Sequence, residues 1–238
     1  MSYVYAEEHS LLDLEYLDRG NDAVRRFTSD DSTDFKRESL LGYVYARIPE
    51  EFWSMDKLRA PSRQLLKELV NYSENASQVR SLGLGITFLG RSFGGRTQAL
   101  YSVCKELVDK GFSCFVISCD EFVYLAKEAW NDFILKRELD ARFSCDFFVL
   151  AEVFDGSDIA AAVRQDLVAR CSLRRSRCLP MMFSVGLDVK SLSDIPTDSF
   201  IGKLLLPFAR VNKPIVTEEI GDVDNLYVER WQLLNGSR

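Results

Sequence analysis

Short apolar runs alternate with stretches of helical spacing along most of the chain. The runs lie at 84–89, 114–118, 146–152, 180–185 and 214–217. Between the first two runs, apolar residues recur every three or four positions, as expected for the buried stripe of a helix. Strands that alternate with helices in this way predict an α/β fold, with a parallel sheet of about five strands and helices on both faces.

Two helical patterns precede the first apolar run. One spans 34–48, and the other begins at Pro61, because proline is tolerated in the first turn of a helix. Phe52 and Trp53 lie between these patterns. We interpret both aromatic side chains as residues that pack under the core rather than as a contact for a partner.

The chain is expected to consist of three segments. Residues 1–33 mix acidic and aromatic side chains and end in a polar run, so they form either a flexible arm or a helix that docks on a partner. Residues 34–80 form a helical lead-in to the core. Residues 81–238 form the core itself, which ends in a helix over 223–234.

The composition excludes several classes of protein. Hydrophobic residues make up 47% of the 238 positions, enough for a substantial core, and the formal net charge of −6 leaves no global basic footprint for nucleic acid. The six cysteines form no C-x-x-C pair and His9 is the single histidine, which leaves too few residues for a zinc site or a His-based triad. The N-terminus lacks a signal pattern and no apolar run reaches membrane-span length. We therefore expect a cytoplasmic protein with reduced thiols and no membrane contact.

The most specific motif follows the first apolar run. Gly90, Gly94 and Gly95 precede Arg96 and Thr97 with the G-x-x-x-x-G-[basic]-[Ser/Thr] spacing of a Walker A phosphate loop. The glycines let backbone amides point at phosphate oxygens, and the hydroxyl at the last position would bind Mg²⁺. These five residues are the expected site for ATP or ADP with Mg²⁺. The basic residue is arginine instead of lysine, and its wider, planar guanidinium is not equivalent.

With these elements in order, the chain resembles the DnaC/IstB-type AAA+ ATPases, the bacterial and phage helicase loaders and related transposition helpers. The resemblance covers about residues 40–220. Three stretches carry it: an Ile-Pro-x-x-aromatic pattern in 46–53, the strand and phosphate loop of 83–97, and the second strand in 110–118. The resemblance implies a P-loop NTPase core of the AAA+/ASCE type, which is able to form homo- or hetero-oligomers.

Besides the arginine of the phosphate loop, three sites depart from the family pattern. In the family the third strand ends in one carboxylate that holds Mg²⁺ and a second that activates water. These positions are Ala151 and Glu152 here, so only the catalytic base is retained. The residue that senses the γ-phosphate corresponds to Gly186. The arginine that reaches into a neighbouring subunit corresponds to Lys203, with Arg210 as the alternative.

Five arginines on and after one predicted helix form a candidate patch for DNA or a partner. They are Arg164, Arg170, Arg174, Arg175 and Arg177. This patch is either a solvated helix face paired with acids elsewhere, or a contact for single-stranded DNA phosphates or an acidic neighbouring subunit.

Phosphoryl transfer depends on positioning and charge stabilisation, so departures at four sites predict inefficient hydrolysis and weak or lost nucleotide binding. The first hypothesis is a helicase-loader-like protein of DNA replication or a mobile element, which binds a replicative helicase or a related AAA+ ATPase subunit, with single-stranded DNA as a further ligand. One alternative is an active ATPase in which Arg96 and Glu152 carry the chemistry and Asp155 holds the metal. The other is a P-loop kinase for a small molecule.

Overall fold

The computed structural model describes most of the central part of the chain. The described residues are 37–54, 58, 60, 63–90, 95–154, 158–187 and 192–216. The predicted arm over 1–33 and the predicted helix over 223–234 lie outside these residues.

Within the described residues the chain forms five strands and eight α-helices. The strands are β1 (Gly85–Leu89), β2 (Cys114–Ser118), β3 (Phe147–Val153), β4 (Met181–Val185) and β5 (Asn212–Val216). The helices are α1 (Arg37–Tyr45), α2 (Arg63–Glu74), α3 (Ala76–Leu82), α4 (Arg96–Asp109), α5 (Cys119–Glu128), α6 (Phe133–Arg142), α7 (Ala161–Ser176) and α8 (Phe200–Leu205).

The five strands form one sheet in the order β2-β3-β4-β1-β5. All four strand pairs are parallel, and the two central pairs bring the ends of β1, β3 and β4 together. The predicted parallel α/β architecture is confirmed.

Hydrophobic clusters cover both faces of the sheet. On one face, Leu40 of α1 and Leu69 of α2 belong to the same buried cluster as Phe88 of β1. On the other face, α5, α7 and α8 contribute to a second cluster that includes Phe183 of β4. The lead-in helices therefore share a hydrophobic core with the sheet.

The lead-in also covers the outer edge of the sheet at β2. The Val116 amide donates a hydrogen bond to the Ala46 carbonyl oxygen at 3.1 Å. Trp53 is 3% exposed and its indole N–H donates to the Ile48 carbonyl oxygen at 2.8 Å. Phe52 is buried as well, which confirms that this aromatic pair packs under the core.

The helical pattern that begins near Pro61 forms two helices instead of one. The break lies at Asn75, whose side-chain amide donates to the Asn71 carbonyl oxygen at 2.8 Å. This bond satisfies a carbonyl of the last turn of α2, so the helix ends there. Gly83 follows α3 with a φ of 64°, the left-handed conformation that glycine adopts readily at a helix C-terminus.

Strand β5 begins two residues before the predicted apolar run. Asn212 is buried, and its side-chain amide donates to the Thr87 hydroxyl oxygen at 3.1 Å and to the Met181 carbonyl oxygen at 2.9 Å. This side chain crosses β1 at Gly85, where a Cβ atom would lie 2.0 Å from the Met181 carbonyl oxygen. The glycine lets one asparagine join β5 to β1 and β4.

Candidate functional site

The predicted phosphate loop begins at the carboxyl end of β1, the edge where parallel α/β sheets bind ligands. Gly90 has a φ of 144° and Gly95 a φ of 65°, and both conformations favour glycine. Gly95 precedes the first turn of α4, in which Thr97 is half-buried. Gly94 lies outside the described residues.

Arg96 points into the fold at this edge and is 7% exposed. One terminal nitrogen, Nη1, donates to the carbonyl oxygens of Gly90 and Val185. Gly90 directly follows β1, and Val185 is the last residue of β4. Burial lowers the pKa of this guanidinium, while the carboxylate of Glu152 opposes the shift. The structure thus places the basic residue of the motif among strand ends.

The end of β3 carries the remaining carboxylate. Leu150 pairs with Phe183 and Val153 with Val185, so β3 has one extra residue between these pairs, which is a β-bulge. Glu152 lies in this bulge with a φ of 54°, and its side chain is exposed. Ala151, at the position of the family's metal-holding carboxylate, is 3% exposed.

These residues do not fit magnesium nucleotide as the family pattern would hold it. The β3 position at which the resemblance places a Mg²⁺-holding carboxylate is Ala151, whereas carboxylates are the usual protein ligands of Mg²⁺ beside phosphate oxygens. Across the described ranges, no group of three His, Cys, Asp or Glu side chains could hold a metal ion. Thr97 retains the hydroxyl group that the motif has at its last position.

The predicted arginine patch does not form a single surface. Arg174 is 1% exposed and lies inside the fold. Its Nη1 donates to the carbonyl oxygens of Phe143 and Cys145, at 2.6 and 2.9 Å, and its Nη2 donates to that of Pro180 at 2.6 Å. The prediction that Arg174 contacts DNA or a partner is wrong, because its side chain is buried and both terminal nitrogens donate to main-chain carbonyl oxygens.

Two further arginines of the patch are engaged at the surface. Arg170 forms ion pairs with Asp166, at 2.9 Å, and with Asp140, and only 11% of its side chain is exposed. The Nε of Arg175 donates to the Pro207 carbonyl oxygen at 3.1 Å. These contacts favour the interpretation of a helix face paired with acids.

The remaining predicted basic residues differ in their exposure. Arg164 is half-buried, while Arg177, Lys203 and Arg210 are exposed. Lys203 lies on α8, and Arg210 borders a groove at the amino end of β5. A role for these residues toward DNA or a neighbouring subunit stays a prediction.

That groove has a volume of about 600 Å³ and lies between α2, α3 and β5. Apolar side chains such as Val79, Leu82 and Ile215 contribute to its lining. It lies toward the amino ends of β1 and β5, whereas Arg96 lies toward the carboxyl ends. The groove is therefore separate from the predicted phosphate site.

Solved structures resemble this chain, although no family model and no curated protein sequence matches it. The DnaC helicase loader aligns over 71% of this chain and 100% of its own, with a TM-score of 0.60 and 14% identity. DnaI aligns over 71% of this chain and 94% of its own, with a TM-score of 0.56 and 16% identity. The chain shares the α/β fold of these helicase loaders. The resemblance seen in the sequence is confirmed at this level.

The replication initiator DnaA has the same core. AMPPCP-bound DnaA from Aquifex aeolicus aligns over 72% of this chain and 51% of its own, with a TM-score of 0.52 and 16% identity. At such identities the likeness shows a shared fold and no more. Within the described residues, no helix of this fold is long and apolar enough to cross a membrane.

Proposed function

We propose that this protein is a helicase-loader-like AAA+ protein that acts in DNA replication or mobile-element biology by binding a replicative helicase or a related ATPase subunit. Nucleotide binding is weak or lost, and hydrolysis is inefficient. The fold supports this assignment, since one structural neighbour is a helicase loader and another is DnaA bound to AMPPCP and single-stranded DNA.

The end of β3 carries the proposal. A magnesium-dependent ATPase needs a carboxylate for the metal and a second one for the attacking water. Here the first position is the buried Ala151, and Glu152 is directed to solvent by the bulge. A protein that keeps the AAA+ fold without the metal carboxylate uses the surfaces of that fold to bind partners instead of hydrolysing nucleotide.

One exposed apolar surface supports binding of a protein partner. It is formed by four side chains of α5, α6 and the turn between them, which we call the α5–α6 surface: Tyr124 (56% exposed), Trp130 (58%), Phe133 (78%) and Ile134 (61%). Exposed apolar groups that lie close together mark interaction sites more often than isolated ones do. Tryptophan and tyrosine are also frequent among the residues that dominate binding energies.

The test mixes the purified protein with a purified hexameric replicative helicase and follows both complex formation and phosphate release. We expect a complex that forms with or without ATP·Mg²⁺, and phosphate release that does not exceed that of a Glu152→Gln variant. The proposal fails if the protein binds neither helicase, nor another ATPase oligomer, nor single-stranded DNA under any nucleotide condition. Release of phosphate that disappears in Glu152→Gln would instead establish an active ATPase.

Paired surface variants refine this test. Trp130→Ser combined with Phe133→Ser is expected to weaken helicase binding about tenfold or more, as for residues at the centre of an interface. Leu206→Ser is the matched control, because Leu206 is also an exposed apolar residue (47%) but lies far along the chain, after α8. Equal effects of both variants would show that the α5–α6 surface is not the contact.

A further inference from the structure

We propose that Arg96 is an internal ligand of the phosphate site, which joins the ends of β1 and β4 and closes the site to nucleoside di- and triphosphates. The folded state then needs no nucleotide. This inference rests on the proposed function, in which the nucleotide is dispensable. The Arg96 side chain takes the place of the nucleotide.

The first argument is the geometry of the two hydrogen bonds. A terminal guanidinium nitrogen carries two N–H groups. Both N–H groups of Nη1 are used, one on the Gly90 carbonyl and one on the Val185 carbonyl. Leu89 and Val185 are paired neighbours on adjacent parallel strands. A single nitrogen therefore connects the ends of two central strands.

The second argument is that the neighbouring position suits an arginine. The family's polar sensor corresponds to Gly186, and a Cβ atom there would lie 3.9 Å from Nη2 of Arg96. A methyl group fits at that distance, but a longer side chain at this position would compete with the guanidinium for space. The change from lysine to arginine and the loss of the sensor side chain are thus complementary.

The third argument concerns charge. A buried guanidinium needs compensating partners. Two carbonyl oxygens accept from Arg96 directly. Burial lowers the pKa of this guanidinium, and the negative charge of Glu152 opposes that shift.

A nucleotide would have to undo this arrangement. A phosphate group that recruits the guanidinium removes the donors from both carbonyl groups, and buried acceptors without donors destabilise a fold. If the guanidinium stays, its Nη1 remains on the two carbonyl groups and is not available to a phosphate oxygen. Nucleotide binding is disfavoured in either case.

The experiment is thermal unfolding of the whole protein with and without millimolar ATP or ADP and Mg²⁺. The Tm of the wild-type protein is expected to stay unchanged. Arg96→Ala is expected to lower the Tm by about 5–10 °C, because two buried carbonyl groups lose their donor. Arg96→Lys, which restores the usual Walker A residue, is expected to lower the Tm without ligand and to recover at least about 3 °C with nucleotide by mass action.

Two controls accompany these variants. Arg137→Ala removes an exposed arginine of α6 and is expected to leave the Tm unchanged. Gly186→Ala should be tolerated, whereas Gly186→Asn should lower the Tm in the wild-type background and less so beside Arg96→Lys, which would reveal coupling between the two positions.

The opposite results overturn the inference. A wild-type Tm that rises by several degrees with nucleotide would show that the site is open. An unchanged Tm for Arg96→Ala would show that the guanidinium does not hold the strand ends, and an Arg96→Lys protein that ignores nucleotide would show that the arginine is not what excludes it. Helicase binding is measured separately, so these results leave the proposed function standing, and loss of helicase binding leaves the inference standing.

Discussion

Three arginines in the described part of the chain are buried and donate to main-chain carbonyl oxygens. Arg96, Arg142 and Arg174 are 7%, 8% and 1% exposed. Arg142 donates to the Tyr45 carbonyl oxygen at 3.0 Å and so joins α6 to the lead-in. Because a guanidinium has five donors in a rigid plane, one side chain satisfies several carbonyl groups where elements end.

Arg174→Met tests the strongest of these buried donors. The variant puts an apolar side chain at this position and removes the guanidinium donors to the carbonyl groups of Phe143, Cys145 and Pro180. We expect a loss of about 3 kcal/mol or more in the free energy of unfolding, measured by urea denaturation. Arg177→Met is the matched control at an exposed position, with an expected change within about 0.5 kcal/mol. A loss below about 1 kcal/mol for Arg174→Met would contradict this role.

The helical pattern of α7 contained a signal for Arg174. Its buried stripe consists of Val163, Leu167 and Cys171. Arg174 lies three residues after Cys171 and so falls on the same face of the helix. Charge alone suggested a surface patch, whereas the spacing placed this residue on the buried face. Periodicity was the better guide to its location, but the carbonyl groups that it satisfies come from distant segments and have no signature in a single sequence.

At the scale of elements, Asp146 joins three of them at the amino edge of the sheet. Its carboxylate accepts from the Ser113 hydroxyl at 2.7 Å, from the Ser113 amide at 3.0 Å and from Nε of Arg80, on α3, at 2.8 Å. Burial raises the pKa of Asp146, but these hydrogen bonds outweigh burial and hold the pKa below its ordinary value of 3.8. The residue thus has a structural role at the start of β3.

Asp146→Asn is therefore expected to show a pH-dependent loss of stability. A carboxyl group with a lowered pKa in the folded state stabilises the protein above its unfolded pKa, and this contribution disappears as the pH falls through the folded pKa. Since the side chain is 34% exposed, we expect about 1 kcal/mol at pH 7. The difference between wild type and variant should shrink below about pH 4. Urea unfolding at pH 7, 4 and 3 measures it.

The exposed residue Asp198 provides the control, since Asp198→Asn should change the stability little at any of these pH values. A difference between wild type and Asp146→Asn that is constant from pH 7 to pH 3 would contradict the assignment.

At the scale of the whole molecule, the reactivity of the cysteine thiols measures how well the two hydrophobic clusters exclude solvent. Five of the six thiols are buried, and Cys178 is exposed. Burial raises the pKa of Cys145 to about 11 and that of Cys119 to about 12. Reaction with a thiol reagent requires the thiolate.

A chromogenic thiol reagent at pH 8 should therefore modify one cysteine of the native protein rapidly, and all six after unfolding in guanidinium chloride. Cys178→Ser is expected to abolish the rapid phase. Two or more rapidly reacting thiols in the native protein, or a rapid phase that survives this substitution, would show that the core is more open than the structure indicates.

The sequence predicted the fold of the whole molecule better than it predicted the site. Apolar runs and helical periods located all five strands within two residues at their starts, because burial of a sheet leaves a continuous apolar signal. A helix was expected from Thr97 onward, and α4 begins one residue earlier, at Arg96. The inward direction of Arg96 and the bulge at Glu152 depend on contacts between distant strand ends, so they could not be predicted from the sequence.

The hydrogen bond between Val116 and Ala46 also bears on whether strands of different molecules can join. Sheet edges with free amides and carbonyls promote uncontrolled joining of strands from different molecules. Here the lead-in uses an amide of β2, while the opposite edge strand contains Pro214, which has no N–H to offer an incoming strand. Among the described residues, both edge strands therefore have a main-chain position that cannot pair with a strand of another molecule, which disfavours growth of a continuous sheet between molecules.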